Sequence, residues 1–364
     1  MWPQRGHVQF IGGGDFLHGK GDAKGATFDY TVPLSGVPAT VVQEPTTLDL
    51  GSEDRREFFG AYGLLEWKPA EHLTLSGGLR LNITFEEGGE GENEANKPAG
   101  QKDQGVTHVR PSGSVGAIYS FWENESDHAR LFGDYRNTFK PAAFDFGLGE
   151  PGGVESESSL LDPETAWSFE VGVKIRALRA RLDFEASGFR MDFNNLVTST
   201  VVNGLPALQN TGKTRFQGFE MAADVRLQHA VTGRLTYSYH DGKFVDFVQA
   251  FDGVPTQLGG KRVEMSANNL FSAGLIVAPD GGFVANVIVK YTGDRYLNMR
   301  NTALAQGFTT VDLGGGYRLD KYELRIDARN ISDARDPVSE SELGDAQYYR
   351  MVAREVKFTF GIRF

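Results

Sequence analysis

Long stretches of this chain alternate apolar and polar side chains with a period of two. Successive side chains of a β-strand point to opposite faces, so each stretch makes a strand with one greasy and one polar side. In Glu355–Phe364, the side chains of Val356, Phe358, Phe360, Ile362 and Phe364 alternate with Glu355, Lys357, Thr359, Gly361 and Arg363. Trp167, Phe169, Val171, Val173 and Ile175 likewise oppose Ser168, Glu170, Lys174 and Arg176, and Phe219, Met221, Ala223, Val225 and Leu227 oppose Glu220, Asp224 and Arg226. Leu73, Leu75, Leu79, Leu81 and Ile83 repeat the pattern. Strands of soluble proteins cluster near about five or six residues, whereas a tilted membrane strand needs about 9 to 11. Full charges of both signs on the polar side suit a wet lumen. The pattern predicts an all-β fold, an antiparallel transmembrane β-barrel.

About 14 strands are expected, near 7–17, 56–68, 72–86, 107–122, 129–139, 165–176, 180–196, 209–227, 232–245, 262–278, 283–297, 307–319, 322–333 and 347–364. The links between them alternate short and long. Outer-membrane barrels have this asymmetry, with tight periplasmic turns and longer external loops, and a sandwich has no reason for it. Trp67, Trp122, Tyr119, Phe121, Tyr237, Tyr239 and Tyr291 lie near strand ends, where amphipathic rings settle at the headgroup level.

Composition closes off other classes. A net charge of −11 without a basic block argues against nucleic acid as a partner. With no cysteine there is no disulfide framework, thiolate nucleophile or zinc–thiolate site. The 26 Phe, 12 Tyr and 4 Trp are too many for a disordered acidic chain. No catalytic residue is assigned. Gly147–Gly152 matches GxGxxG in form but contains Pro151 and opens no helix. The seven histidines show no metal-ligand spacing, so no metal site and no cofactor are expected. The acidic run Glu86–Glu94 offers oxygen ligands to Ca²⁺, but a solvated loop is the plainer reading.

Several segments together resemble the barrel of TonB-dependent outer-membrane receptors. They are Leu161-Asp-Pro-Glu-Thr-Ala-Trp-Ser-Phe-Glu-Val-Gly-Val-Lys174, Asn210-Thr-Gly-Lys-Thr-Arg-Phe-Gln-Gly-Phe-Glu220, Tyr291-Thr-Gly-Asp-Arg-Tyr296 with Phe308–Tyr317, and Asn330-Ile-Ser-Asp333. Phe59–Pro69 with Gly78–Arg80 looks like an earlier hairpin of the same barrels. Singly these motifs are weak; in this order they are specific.

The resemblance implies a barrel of about 22 strands, an N-terminal plug and a short box that engages TonB. Residues 1–364 read as part of the barrel domain, with the plug and box outside this chain. It implies the outer membrane of a Gram-negative bacterium and energy-dependent uptake of a scarce nutrient, foremost a ferric siderophore. The partners implied are a small metal chelate, membrane lipid and lipopolysaccharide, the barrel-assembly machinery, and TonB through the missing N-terminal region. The rival is a complete smaller barrel acting as a passive diffusion pore or a hydrophobic-substrate channel. Arg295, Tyr296, Asn298, Arg300 and Asn301, with Tyr348, Tyr349 and Arg350, are the ligand candidates, because Arg and Tyr suit an anionic, oxygen-rich chelate. Phe358, Phe360, Ile362 and Phe364 resemble the C-terminal assembly signal. Replacing Phe364 with Ala in the intact protein is expected to lower the outer-membrane yield in fractionated cells; an unchanged yield refutes the signal.

Overall fold

The computed structural model describes residues 7–27, 30–31, 40–41, 47–90, 104–141, 161–202, 205–251, 254–340 and 348–362. Fourteen strands form one antiparallel sheet in chain order. The first seven are β1 (His7–Thr27), β2 (Thr47–Ala70), β3 (Leu73–Glu90), β4 (Gln104–Glu123), β5 (His128–Lys140), β6 (Glu164–Ala177) and β7 (Leu182–Asn194). Then come β8 (Lys213–Gln228), β9 (Val231–Asp246), β10 (Asn269–Val277), β11 (Gly282–Thr292), β12 (Phe308–Leu319), β13 (Tyr322–Arg329) and β14 (Glu355–Ile362). Every neighbour in the sheet is a neighbour in sequence, so local hairpins build the whole wall. β1 and β14 are its two ends and do not pair with each other.

Register aligns the greasy rows. Phe169 lies opposite Tyr135, Val171 opposite Gly133 and Gly188, and Val173 opposite Leu131 and Ala186. Ile326 faces Gly315 on one side and Phe358 on the other. One face is therefore continuously apolar. No second layer among the described residues covers it: Leu79 is 77% exposed and Phe358 71%. Such a surface is far too large for water and suits acyl chains.

The apolar band has edges. On β11, Phe283 and Tyr291 are eight residues apart, about 27 Å along the strand, or about 20 Å of height at the tilt usual for membrane barrels. Trp67, Tyr119 and Trp122 share the face and lie toward the short turns. Higher on β7, β8 and β9 the band stops in one register row, where Arg190, Gln217 and Asp241 stand side by side. Above that row the buried Asp192 carboxylate accepts from Arg190 Nε at 2.9 Å and Arg215 Nε at 2.8 Å.

The other face is laddered with ion pairs between adjacent strands. Lys174 meets Glu185 at 2.9 Å, Arg234 meets Asp224 at 2.7 Å and Lys290 meets Asp312 at 2.7 Å. Arg80 reaches Asp15 at 2.8 Å and also donates to Asn82 at 2.7 Å. Exposed pairs add little stability each, but they hold long side chains flat along the wall.

Short links join β2–β3, β4–β5, β6–β7, β8–β9, β10–β11 and β12–β13, and long ones join the rest. The expected strands appear with shifted ends. β1 and β2 continue their ladder to Gly25 and Leu50, past the expected limits. Residues 262–268 and 293–297 leave the regular ladder: single bonds such as Val263 N to Gly242 O and Gly293 N to Asn269 O still reach the sheet, while Met265 N donates to Tyr296 O and Arg295–Tyr296 pairs with Leu304–Ala305 in its own loop. β14 starts at Glu355, since 348–350 pairs with 337–340 in a separate hairpin. β7 starts at Leu182 because Leu178, Arg179 and Ala180 all take positive φ. That left-handed turn is tied down by Asp127, whose carboxylate accepts from Ala180 N at 2.8 Å and Arg179 N at 3.1 Å. These bonds hold the Asp127 carboxyl below the usual carboxylate range. Phe358, Phe360 and Ile362 lie on the apolar face as expected, while Phe364 falls outside the described residues.

If the apolar face meets lipid, Val171→Arg in the intact protein costs about 2–4 kcal/mol at mid-bilayer depth. The neighbouring polar-face change Ser168→Arg is expected to cost under about 0.5 kcal/mol, as a surface substitution does. Reversible urea unfolding in lipid vesicles measures both; equal costs refute the assignment of faces.

Candidate functional site

At the long-loop end, the loops after β9 and β11 fold together. Phe244, Phe247, Leu258 and Met299 form a small buried core flanked by Phe251 and Val263, and the Phe244 and Phe247 rings lie 5.2 Å apart. Asn301, at φ 58°, joins the two loops. Its Oδ1 accepts from Arg262 N at 2.7 Å and its Nδ2 donates to Arg262 O at 2.8 Å, as a paired strand residue would. Lys261 Nζ donates to the Arg300 carbonyl at 2.9 Å, and Met265 N to Tyr296 O at 2.8 Å. The Arg300 and Arg262 guanidiniums sit over the Phe251 and Tyr296 rings.

The ligand candidates divide by surroundings. Asn298 is buried, accepting from Thr302 N at 3.0 Å and donating to Thr302 Oγ1 at 2.9 Å. Asn298 and Asn301 thus direct their amides to loop backbone and a loop hydroxyl. Arg295 is only 3% exposed. Its Nη2 donates to Pro337 O, its guanidinium lies 5.0 Å from the Phe308 ring centroid, and its Nη1 has no hydrogen-bond partner. Burial lowers its pKa, against the opposing charge of Asp336. Tyr348, Tyr349 and Arg350 are exposed on the hairpin whose other strand holds Pro337, and Pro337 aligns with Arg350. That hairpin joins the two candidate groups.

Beside Arg295 a cleft of ≈ 400 Å³ opens, lined by His240, Ser266, Leu270, Thr292, Phe308 and Val338 among others. Its floor is the polar face: Leu270 pairs with Thr292, and Thr292 with Phe308. His240 Nε2 lies 2.8 Å from Glu220 Oε1, and its ring meets the edge of Phe189 at 5.6 Å. Sequence reading missed His240, Thr292 and Phe308. They are unremarkable polar-face positions on separate strands, and only their place at the upper ends of β9, β11 and β12 marks them.

Among the described residues no group of three His, Cys, Asp or Glu could hold a metal ion. Glu86 is buried 2.8 Å from Arg56 Nε, while 91–94 of the acidic run and 147–152 lie outside the described residues.

The sequence motifs hold strand–loop junctions. Glu164 Oε1 accepts from Lys140 Nζ at 2.7 Å. Asn210 Nδ2 donates to Asn195 O at 2.8 Å, and its Oδ1 accepts from Asp162 N at 2.7 Å. A Cβ on Gly212 or Gly218 would collide with the Asp246 or Tyr239 carbonyl, so close strand approach requires glycine at both. Asn330, at φ 47°, donates to Ala334 O and Val352 O, both at 3.0 Å, and so closes the base of the last long loop.

The family model described as TonB dependent receptor-like, beta-barrel matches residues 4–331. The chain is 26% identical over 228 residues to the metal-pseudopaline receptor CntO of Pseudomonas aeruginosa, covering 61% of this chain and 29% of that protein. Its fold is similar to two solved structures. The siderophore receptor PiuA of Acinetobacter baumannii aligns at TM-score 0.75 with 15% identity, over 100% of this chain and 54% of that one. The ferric yersiniabactin uptake receptor FyuA of Yersinia pestis aligns at TM-score 0.74 with 16% identity, over 98% and 51%. The chain thus spans about half the length of these solved receptors and under a third of CntO.

If Asn301 is the joint between the loops, Asn301→Ala should speed proteolytic cleavage within 247–268 at least about fivefold, since both bonds to Arg262 are lost at roughly 1 kcal/mol each. Unchanged cleavage in intact cells contradicts that role.

Proposed function

This chain belongs to the family of TonB-dependent receptor β-barrels of the Gram-negative outer membrane, and from that premise we propose that its protein takes up a metal chelate, foremost a ferric siderophore, by energy-dependent transport. The observation that carries this reading is a polar, ion-paired face ending in a cleft beside a buried cation, Arg295. A diffusion pore shares the charged lumen but needs no buried cation beside a cleft at its mouth. The named receptors for metal-pseudopaline and ferric yersiniabactin support a metal-chelate cargo.

In this account the residues have separate tasks. Rows such as Phe169–Val173 and Phe358–Ile362 face acyl chains, and the latter also serve as the assembly signal together with Phe364. The ion-paired face lines the lumen, where water and fixed charges of both signs let a polar chelate pass. Arg190, Arg215 and Lys243, just above the apolar band, meet lipopolysaccharide phosphates. Arg295, with Tyr296, Arg300 and the Tyr348–Arg350 strand, forms the barrel's share of the binding surface, while Asn298 and Asn301 keep that surface in shape. The open edges at β1 and β14 would leave backbone donors and acceptors unpaired in hydrocarbon at several kcal/mol each, so further strands of the receptor close the barrel. Coupling to TonB belongs to the plug region outside the residues described. The reading assigns no catalytic step.

Uptake of radiolabelled iron from a panel of ferric chelates, in cells with and without the receptor gene and with and without TonB, tests this. At least one chelate should enter only when both are present. Entry that persists without TonB favours a pore and rejects energy-dependent transport.

A further inference from the structure

We infer that the cleft beside Arg295 binds a carboxylate of the ligand, with the Arg295 guanidinium as its cationic anchor. This deepens the uptake reading and rests on it.

Arg295 is almost wholly buried, yet among the described residues no carboxylate lies within salt-bridge distance of it; one terminal nitrogen donates to Pro337 O and the other has no hydrogen-bond partner there. A buried charge left incompletely paired is unfavourable, and a bound anion would supply the missing acceptor. Two nearby cations are engaged otherwise: Lys261 donates to Arg300 O, and Arg262 to Ser266 O and Asp294 O. Among the described residues lining the cleft, Arg295 is the one Lys or Arg.

Chemistry narrows the anion. A planar guanidinium matches the plane of a carboxylate, and the Phe308 ring beneath it holds the fork in one orientation. Leu270, Phe308 and Val338 make part of the lining apolar, which excludes water and strengthens the ion pair, while Thr292 and Ser266 bring hydroxyls within the same walls. Asp336 lies near enough to act on the Arg295 charge, and Glu220 stands behind His240. These negative groups favour entry of one carboxylate arm of a chelate, with its other carboxylates left outside the cleft. At ≈ 400 Å³ the cleft accepts a citrate-sized group or one arm of a larger chelate. Recognition is thereby assigned to an arm of the ligand, and the metal centre stays outside.

The test uses the detergent-purified full-length receptor, titrated with ferric citrate, which bears carboxylates, and with ferrichrome, a neutral hydroxamate chelate without them. Binding is read by quenching of intrinsic fluorescence. The wild type should bind ferric citrate, with Arg295→Gln weakening it tenfold or more, Arg295→Lys weakening it less, and neither variant altering any ferrichrome binding. Wild-type affinity for ferric citrate in Arg295→Gln overturns the proposal. So does a wild type that binds ferrichrome alone or neither probe, and so does an equal loss of both probes in both variants, which marks collapse of the loops. Where TonB-dependent iron entry survives any of these results, the carboxylate assignment falls and the uptake reading stands.

Discussion

Everything in this molecule depends on the backbone ladder. In hydrocarbon no water is available for an unpaired N–H or C=O, so a strand can cross only if both its edges are bonded. A sheet in which each strand pairs with its neighbours in sequence meets that need with short-range hairpins. It also explains the glycines at 212 and 218, where the chains approach too closely for any side chain. Once the ladders are satisfied, side chains are free to serve two solvents, one on each face.

The two faces then solve different problems. The apolar face has only to be greasy and of the right height, so Phe, Leu, Val and aromatic residues substitute for one another along it, ending at the Arg190–Gln217–Asp241 row. The polar face must stay hydrated without swelling, and pairs such as Lys174–Glu185 and Arg234–Asp224 keep opposite charges on adjacent strands. At the upper end a third arrangement begins. The loops after β9 and β11, with Phe244 at the upper end of β9, build a small core around Phe244, Leu258 and Met299, and the same two loops supply Ser266 and Arg295 to the cleft above the polar face.

This division explains what family motifs report. Glu164, Asn210, Gly212 and Asn330 belong to the motifs that carry the resemblance, and here they hold strand–loop junctions. None of them lines the cleft, so resemblance carries the architecture much further than the cargo. Asn298 and Asn301 belong with the junction residues, although as exposed-looking polar groups in an outer loop they read equally well as ligand contacts. Their amides turn inward because a loop leaving the sheet must satisfy its own backbone.

The sequence by itself determined the period-two faces, the number and order of the strands, the alternation of turns and loops, and the barrel family, because all of these follow from local alternation and hairpin pairing. Only the tertiary structure decided which loop residues are structural and which line a cleft. It placed His240, Thr292 and Phe308 beside Arg295, moved the ends of β10, β11 and β14 inward, and showed Arg295 buried with no carboxylate in salt-bridge reach among the described residues. Those facts depend on contacts between segments tens of residues apart, across strands whose individual patterns carry no sign of them.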